Sequence, residues 1–216
     1  MNFDLFAPEP NQNVLPFDGV VEDYGLILDA DQAQQYFDYF HSYLAWKQDE
    51  VLLYGKYFQT ARKIAWYGDQ DFDYQYSGTT KHAQQWNPLL LRLKQQIEAE
   101  TGHQFNSCLA NLYEDGMQGM GWHSDDEASL RSDQQETVIA SLSLGATRKF
   151  RFKHKTQNET VDLLLHSGQL IVMKGQTQQY WKHMLAKSSK VQQARINLTF
   201  RYFYSHPSRT SSNASI

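Results

Sequence analysis

Cysteine is almost missing from this chain. A single one, Cys108, stands among 216 residues. No disulfide can therefore close within the chain, which fits a reducing compartment. Long apolar runs are missing as well. None approaches the roughly 18 residues that a membrane-spanning helix needs. The first ten residues, MNFDLFAPEP, lack the basic start and apolar stretch of a secretory signal. The expected location is cytoplasmic, with no membrane contact. A positive balance is missing too: 20 Lys and Arg face 24 Asp and Glu, for a net charge of −4. That argues against indiscriminate coating of nucleic acid, though not against a local basic face. No repeat and no linker divides the chain. It reads as one domain over residues 1–204, followed by a Ser-rich, disordered tail over 205–216.

What is present is a change of period. Ala33, Tyr36, Phe37, Phe40 and Leu44 recur at helical spacing and predict a helix over Asp31–Asp49. Asn87-Pro88, a cap followed by proline, opens a second helix that carries Leu89, Leu90, Leu93 and Ile97 and stops near Thr101-Gly102. From Phe105 onward the period is two. Strands are predicted over Phe105–Tyr113, Thr137–Leu144, Lys149–His154, Val161–Leu165, Gln169–Met173 and Arg195–Tyr204. The aromatic stretch Val51–Gly78 reads as hairpins. The class is mainly β with flanking helices, α+β, with the strands forming a sandwich or barrel.

His123 and Asp125 lie two apart on extended backbone, so they share a face and can share a metal. One imidazole and one carboxylate leave a site incomplete. A second histidine would complete the facial triad of non-haem iron oxygenases, which keeps positions open for cosubstrate and oxygen. Alone, the pair equally describes a histidine beside a solvated acid. Spacing leaves His154, His166 and His183 all open as the third ligand.

In Arg195–Arg201 the polar residues Arg195, Asn197, Thr199 and Arg201 alternate with Ile196, Leu198 and Phe200. They project from one face. That face either lies in water on an edge strand or grips a short dicarboxylate, which guanidinium groups bind in bidentate fashion. Asn111 and Tyr113 share one parity on their own strand and add an amide and a phenol. Cys108 reads as a buried strand residue rather than a nucleophile.

Taken in order, these residues resemble the AlkB-type nucleic-acid dealkylases. The matching segments are Asn111-Leu112-Tyr113-x-x-Gly116, His123-x-Asp125-Asp126-Glu127, Ser141–Gly145, His183 and Arg195-x-Asn197-Leu198-Thr199-Phe200-Arg201. Upstream, Ala61–Asp69 and Tyr76-Ser77-Gly78 extend the likeness, which runs from about Leu53 to Arg201. The ordered set is specific; no single piece is. It looks nearest to the subgroup acting on alkylated duplex DNA, the second and third eukaryotic homologues.

The resemblance implies a double-stranded β-helix (jelly-roll) core over about 105–204, with a helical, nucleotide-recognising part over about 1–104. It implies an Fe(II)- and 2-oxoglutarate-dependent dioxygenase that uses O2 and has His183 as third ligand. Arg201 and Asn111 are assigned to the iron-chelating end of 2-oxoglutarate, and Arg195, Asn197 and Tyr113 to the far carboxylate, with Thr199 beside them. The implied reaction demethylates bases such as 1-methyladenine and 3-methylcytosine in DNA, releasing formaldehyde, succinate and CO2. RNA, a protein or a small molecule are alternative substrates. Such a base must be flipped out of its stack. Tyr76 corresponds to the stacking position, with Tyr74 and Ser77 nearby. Asp126, favoured over Glu127, would accept from the exocyclic amine of a cationic base. Tyr54 is the candidate wedge, and Arg62 and Lys63 candidate phosphate contacts. A monomer is expected, nucleoid-associated in a bacterium and nuclear in a eukaryote. Lys149, Arg151 and Lys153 share a face that could track a phosphate backbone. The short, non-basic Thr156–Glu159 stretch departs from the duplex-acting pattern and keeps single strands in view.

Overall fold

A computed structural model of the chain describes residues 11–53, 56–70, 73–76, 79–130 and 136–204. Strand β1 (Val20–Leu26) leads into helix α1 (Ala30–Tyr43). The Asp29 side chain accepts from the Gln32 amide while Gln32 reaches back to the Asp29 amide, a capping box that fixes the start of α1. The helix ends six residues before the predicted Asp49. Trp46 turns back and donates its indole N–H to the carbonyls of Phe40 and His41, satisfying last-turn acceptors and stopping the helix. The next residues form a strand instead.

Strands β2 (Lys47–Leu53) and β3 (Lys56–Gly68) form a hairpin with Leu53 opposite Lys56. The pair β4 (Asp73–Tyr76) and β5 (Thr79–His82) forms a small separate sheet, and β6 (Gln84–Gln85) runs parallel to β3. The hairpins expected over Val51–Gly78 are thus found. Helix α2 (Pro88–Thr101) begins at Asn87, whose side chain accepts from the Leu89 and Leu90 amides. It ends at Gly102, whose φ of 71° is the left-handed C-terminal cap that glycine adopts without strain.

The remaining strands are β7 (Ser107–Tyr113), β8 (Met120–His123), β9 (Ile139–Gly145), β10 (Arg148–His154), β11 (Thr160–Leu165), β12 (Gln169–Lys174), β13 (Trp181–Leu185) and β14 (Arg195–Arg201). A helical turn, α3 (Thr177–Tyr180), precedes β13. They build two sheets. The larger has the order β1-β12-β9-β14-β7-β3-β2, the smaller β11-β10-β13-β8. From β7 to β14 the chain passes back and forth between them, which is the jelly-roll expected from the sequence. Six predicted strands appear with ends shifted by one to three residues. Five strands fall outside the predicted ranges: β1, β5, β6, β8 and β13.

Parity organises the interior. Even-numbered residues of β7, β9 and β14 (Cys108, Ala110, Leu142, Leu198 and Phe200 among them) pack with Phe40, Leu90, Leu93 and Ile97 of the helices. The odd-numbered side chains of the same strands face the smaller sheet. Strand β14 pairs with β7 on one side and β9 on the other. It is therefore central, and the edge-strand reading of its polar face falls. A one-residue slip would press two guanidinium groups against the helical core, so the register is strongly fixed. Phe150, Phe152, Trp181 and Leu185 of the smaller sheet pack with Ile139 and Met173 between the sheets. Beside them a cavity stays open, with Phe150, Leu185 and Met173 in its lining.

Candidate metal centre and its cavity

His123 closes β8, and His183 sits directly opposite it on β13. Asp125 follows two residues after His123. One potential ligand atom from each lies within 4.8 Å of the other two. The Asp125 Oδ1 is 3.6 Å from His123 Nε2 and 4.0 Å from His183 Nε2. The His123 Nδ1 lies 2.8 Å from the Gly121 carbonyl, a contact that puts the proton on Nδ1 and leaves the Nε2 lone pair facing its neighbours. His183 is held between Phe150 and Phe152, stacked on the former at 5.4 Å. Burial, reinforced by His123, pushes its pKa down to about 3, so the ring is a neutral donor.

Asp125 divides its two oxygens. Oδ1 faces the histidines, while Oδ2 accepts from Arg201 Nη2 at 2.7 Å. Burial alone would raise this carboxyl. The Arg201 guanidinium and the two imidazoles outweigh it and hold the group below the usual carboxylate range. The Asp125 amide donates to Gln178 Oε1 and the Ser124 hydroxyl to the Trp181 carbonyl, fixing the turn after β8. Two imidazoles and one carboxylate oxygen on one side, with open space on the other, form a donor set suited to a divalent iron.

The cavity runs from this cluster to Arg195. Arg195 is 1% exposed. Its Nη2 donates to Ser143 Oγ at 2.9 Å, but Nε and Nη1 have no partner. Burial lowers its pKa to about 10, so it remains a cation at neutral pH. A buried guanidinium with two unpartnered nitrogens is costly on its own. It is the complement that a carboxylate entering the cavity would meet. Asn111, Tyr113 and Thr199 line the same wall. Asn197 lines it too, but its amide already donates to Ser141 Oγ and the Leu142 carbonyl, and its Oδ1 accepts from Thr199. It ties β14 to β9.

The other candidates separate. Glu127 lines the cavity, whereas Asp126 borders a neighbouring cleft with Gln176 and Gln179. The turn after Asp125 sends these two consecutive side chains to different sides. Arg62 also lines the cavity, buried and paired with fully buried Asp49 at 2.6 Å. It does not stand outward to meet phosphates. Lys63 is bound to Glu114 at 2.7 Å. Tyr74 and Tyr76 belong to β4, and their side chains lie outside the described residues, as do Tyr54 and Ser77. His154 pairs with Asp18 and His166 contacts Thr147; neither reaches the cluster.

Met120 and Phe203, which line the cavity, and Gln178, which accepts from the Asp125 amide, carried no sequence signal. Gln178 follows no period. The two serines of β9 alternate with Ala140, Leu142 and Leu144 and belong to the matching segment Ser141–Gly145. Buried Arg148 donates to the carbonyls of Asp115, Gly116, Gln118 and Ala186, and so holds the loop that leads into β8. In the sequence it looked like one more cation of a basic run.

Residues 24–201 match the sequence profile of the 2OG-Fe(II) oxygenase superfamily. The alpha-ketoglutarate-dependent dioxygenase alkB homolog 3 of Bos taurus is 40% identical over 190 residues, covering 83% of this chain and 65% of that protein. Its Homo sapiens counterpart is 41% identical over 172 residues, 75% of this chain and 58% of that protein. The chain thus spans less than two thirds of the length of these relatives. The DNA oxidative demethylase ALKBH2 of Bos taurus is 35% identical over 209 residues, covering 90% of this chain and 73% of the relative. A solved structure described as that of OsALKBH1 superposes with a TM-score of 0.59 at 17% identity, covering 87% of this chain and 99% of that one, a likeness of fold.

Proposed function

The chain belongs to the 2OG-Fe(II) oxygenase superfamily, and from that membership we propose that it removes N-linked alkyl groups from bases in DNA, a direct reversal of damage. One observation carries the reading. A cavity has the three-residue donor cluster on its wall and an unsatisfied buried guanidinium, Arg195, lining it as well. A metal and a dicarboxylate together match that pair of demands. Relatives named for DNA demethylation support the choice of substrate.

His123, Asp125 and His183 would hold Fe(II), with neutral imidazoles and an ionised carboxylate. Arg201 holds Asp125 Oδ2, so Oδ1 would be the oxygen offered to the metal. Arg195, with Tyr113 and Thr199, would receive the far carboxylate of 2-oxoglutarate, and Asn111 would contribute nearer the metal. When bound, Fe(II) with 2-oxoglutarate and O2 supplies an oxidation that places one oxygen atom on the alkyl carbon and the other in succinate, with loss of CO2. A carbon carrying both hydroxyl and ring nitrogen then releases formaldehyde without help from a nucleophilic side chain.

The substrate base would enter past Trp66, Met120 and Phe203, an apolar and aromatic wall suited to a flat ring. Glu127 offers a carboxylate to a cationic base such as 1-methyladenine or 3-methylcytosine. Tyr74, Tyr76 and Ser77 are proposed to hold its other face and Tyr54 to occupy its place in the stack. The whole unit, residues 1–204, would act as a monomer, recognition resting mainly on residues before 105. DNA as substrate puts it at the nucleoid or in a nucleus. No helix among the described residues is long and apolar enough to cross a membrane.

Incubation of the chain with Fe(II), 2-oxoglutarate and oligonucleotides carrying 1-methyladenine or 3-methylcytosine, read by mass spectrometry, tests the reading. Loss of the methyl mass from DNA is expected. Loss only from matched RNA would move the same chemistry to another substrate, and no loss from either would sink it.

A further inference from the structure

We propose that the outer face of the four-stranded sheet, centred on Lys153 and Lys182 beside Trp122, binds the backbone of a single-stranded nucleic acid. The inference deepens the function proposed above and rests on it, since it supplies the track along which the substrate strand would run.

Inward side chains of β10 and β13 alternate with outward ones, and the outward rows are cationic. Lys153 and Lys182 are direct cross-strand partners. Opposed residues in an antiparallel pair have Cβ atoms about 5 Å apart, and like charges there are destabilising. The neighbouring cations are answered: Lys149 and Arg151 both contact Asp162, at 3.1 and 2.6 Å. Lys153 and Lys182 are both exposed, and among the described residues neither has an acidic or hydrogen-bonding partner. In a chain of net charge −4 this uncompensated pair is a local feature, not a reflection of overall basicity.

The face also reaches the cavity's rim. Trp122 lies on β8, the edge strand of this sheet, and is 38% exposed. Its successor, His123, turns inward to the metal cluster. A strand that sends one base inward past His123 must therefore cross β8, which brings its next base to Trp122 and its phosphates to the two lysines. Every base presents a flat face for stacking on an indole, so this contact would be sequence-tolerant. Charge and aromatic ring together fit a nucleic-acid strand better than an acidic protein segment, which would use the charge alone. With Lys149 and Arg151 neutralised, one uncompensated cationic pair remains among the described residues of this face, enough for one strand.

The test uses the full chain and an unmodified oligo-dT strand, with affinity read by fluorescence anisotropy over a series of salt concentrations. Each phosphate contact on a single strand contributes about 0.7 to the slope of log K against log salt. The double variant Lys153→Gln/Lys182→Gln is expected to lower that slope by about 1.4. Trp122→Ala is expected to weaken binding by about tenfold while leaving the slope unchanged. Slow conversion of 2-oxoglutarate to succinate in the absence of nucleic acid should stay at the wild-type rate in the double variant, reporting an intact site. A double variant with wild-type slope and affinity overturns the proposal, even if wild-type protein demethylates DNA. Conversely, a slope that falls as expected in a chain that demethylates nothing upholds this face and rejects the catalytic reading. Equal competition by poly-glutamate and oligo-dT would also overturn it, since the partner would then be any polyanion.

Discussion

Arg195 carries the cosubstrate assignment, because its Nε and Nη1 meet no acceptor among the described residues. Each hydrogen bond from a charged group contributes about 1.5–3 kcal/mol. Replacing Arg195 with Met should therefore raise the KM for 2-oxoglutarate by at least tenfold while leaving Fe(II) binding, measured by titration, close to wild type. Equal loss of both would place Arg195 in the structure rather than in the cosubstrate site. Cys108 gives an independent check on the core. Burial pushes its thiol pKa up, so the native chain should resist iodoacetamide at pH 8 and react only once unfolded. The sign for stability follows. The unfolded thiol ionises from about pH 8.5 while the folded one keeps its proton, so its contribution to stability is complete below that pH and is lost as pH rises beyond it. Alternation made Arg195 and Cys108 legible as opposite faces of their strands. That Arg195 is unpartnered was not legible, since that depends on what β9 offers across the pair.

Elements decide which of these residues meet. The expected β14 face was right in parity and undecided in environment, because an edge strand and a cavity wall share one pattern. Only the pairing with both β7 and β9 distinguishes them. Strand β13, which brings His183 to the cluster, was invisible: five residues with two basic side chains and no glycine or proline to bound them. Strand β8 is shorter still. Loop contacts are similarly silent in sequence but sharp in space. A Cβ at Gly116 would stand 2.0 Å from the Ser188 carbonyl and 2.6 Å from that of Val191. Gly116→Ala should therefore displace the loop entering β8 and lower both Fe(II) affinity and the melting temperature. Wild-type values for both would show that the loop can yield. The hairpin of β2 and β3 holds its own buried charge pair. Asp49→Ala would leave Arg62 buried without its acid, at a cost of about 3–5 kcal/mol, measurable by urea denaturation; a loss below 1 kcal/mol would mean that Arg62 relaxes to solvent or to another acid.

At the scale of the molecule, two sheets do what no segment does alone. His123 and His183 come from the smaller sheet, and Arg195 and Arg201 from the larger. The space between is lined by polar side chains of the larger sheet on one side and by Phe150, Leu185 and Met173 of the apolar cluster on another. A sandwich or barrel was legible from the count of short strands after a helical start, and the jelly-roll came from the family resemblance that the ordered motifs carry. The Arg62–Asp49 wall and the division of labour between Glu127 and Asp126 were not, since both depend on turns whose direction leaves no period in the sequence. The central claim is that the three-residue cluster and Arg195 serve one reaction on alkylated DNA. It is tested most directly by following formaldehyde and succinate together, in wild type and His183→Ala, on a DNA strand carrying 3-methylcytosine. The account predicts one formaldehyde for each succinate formed above the slow DNA-free rate in wild type and neither product from a folded His183→Ala chain. Undiminished formaldehyde from that variant, or succinate without formaldehyde in wild type, would contradict it.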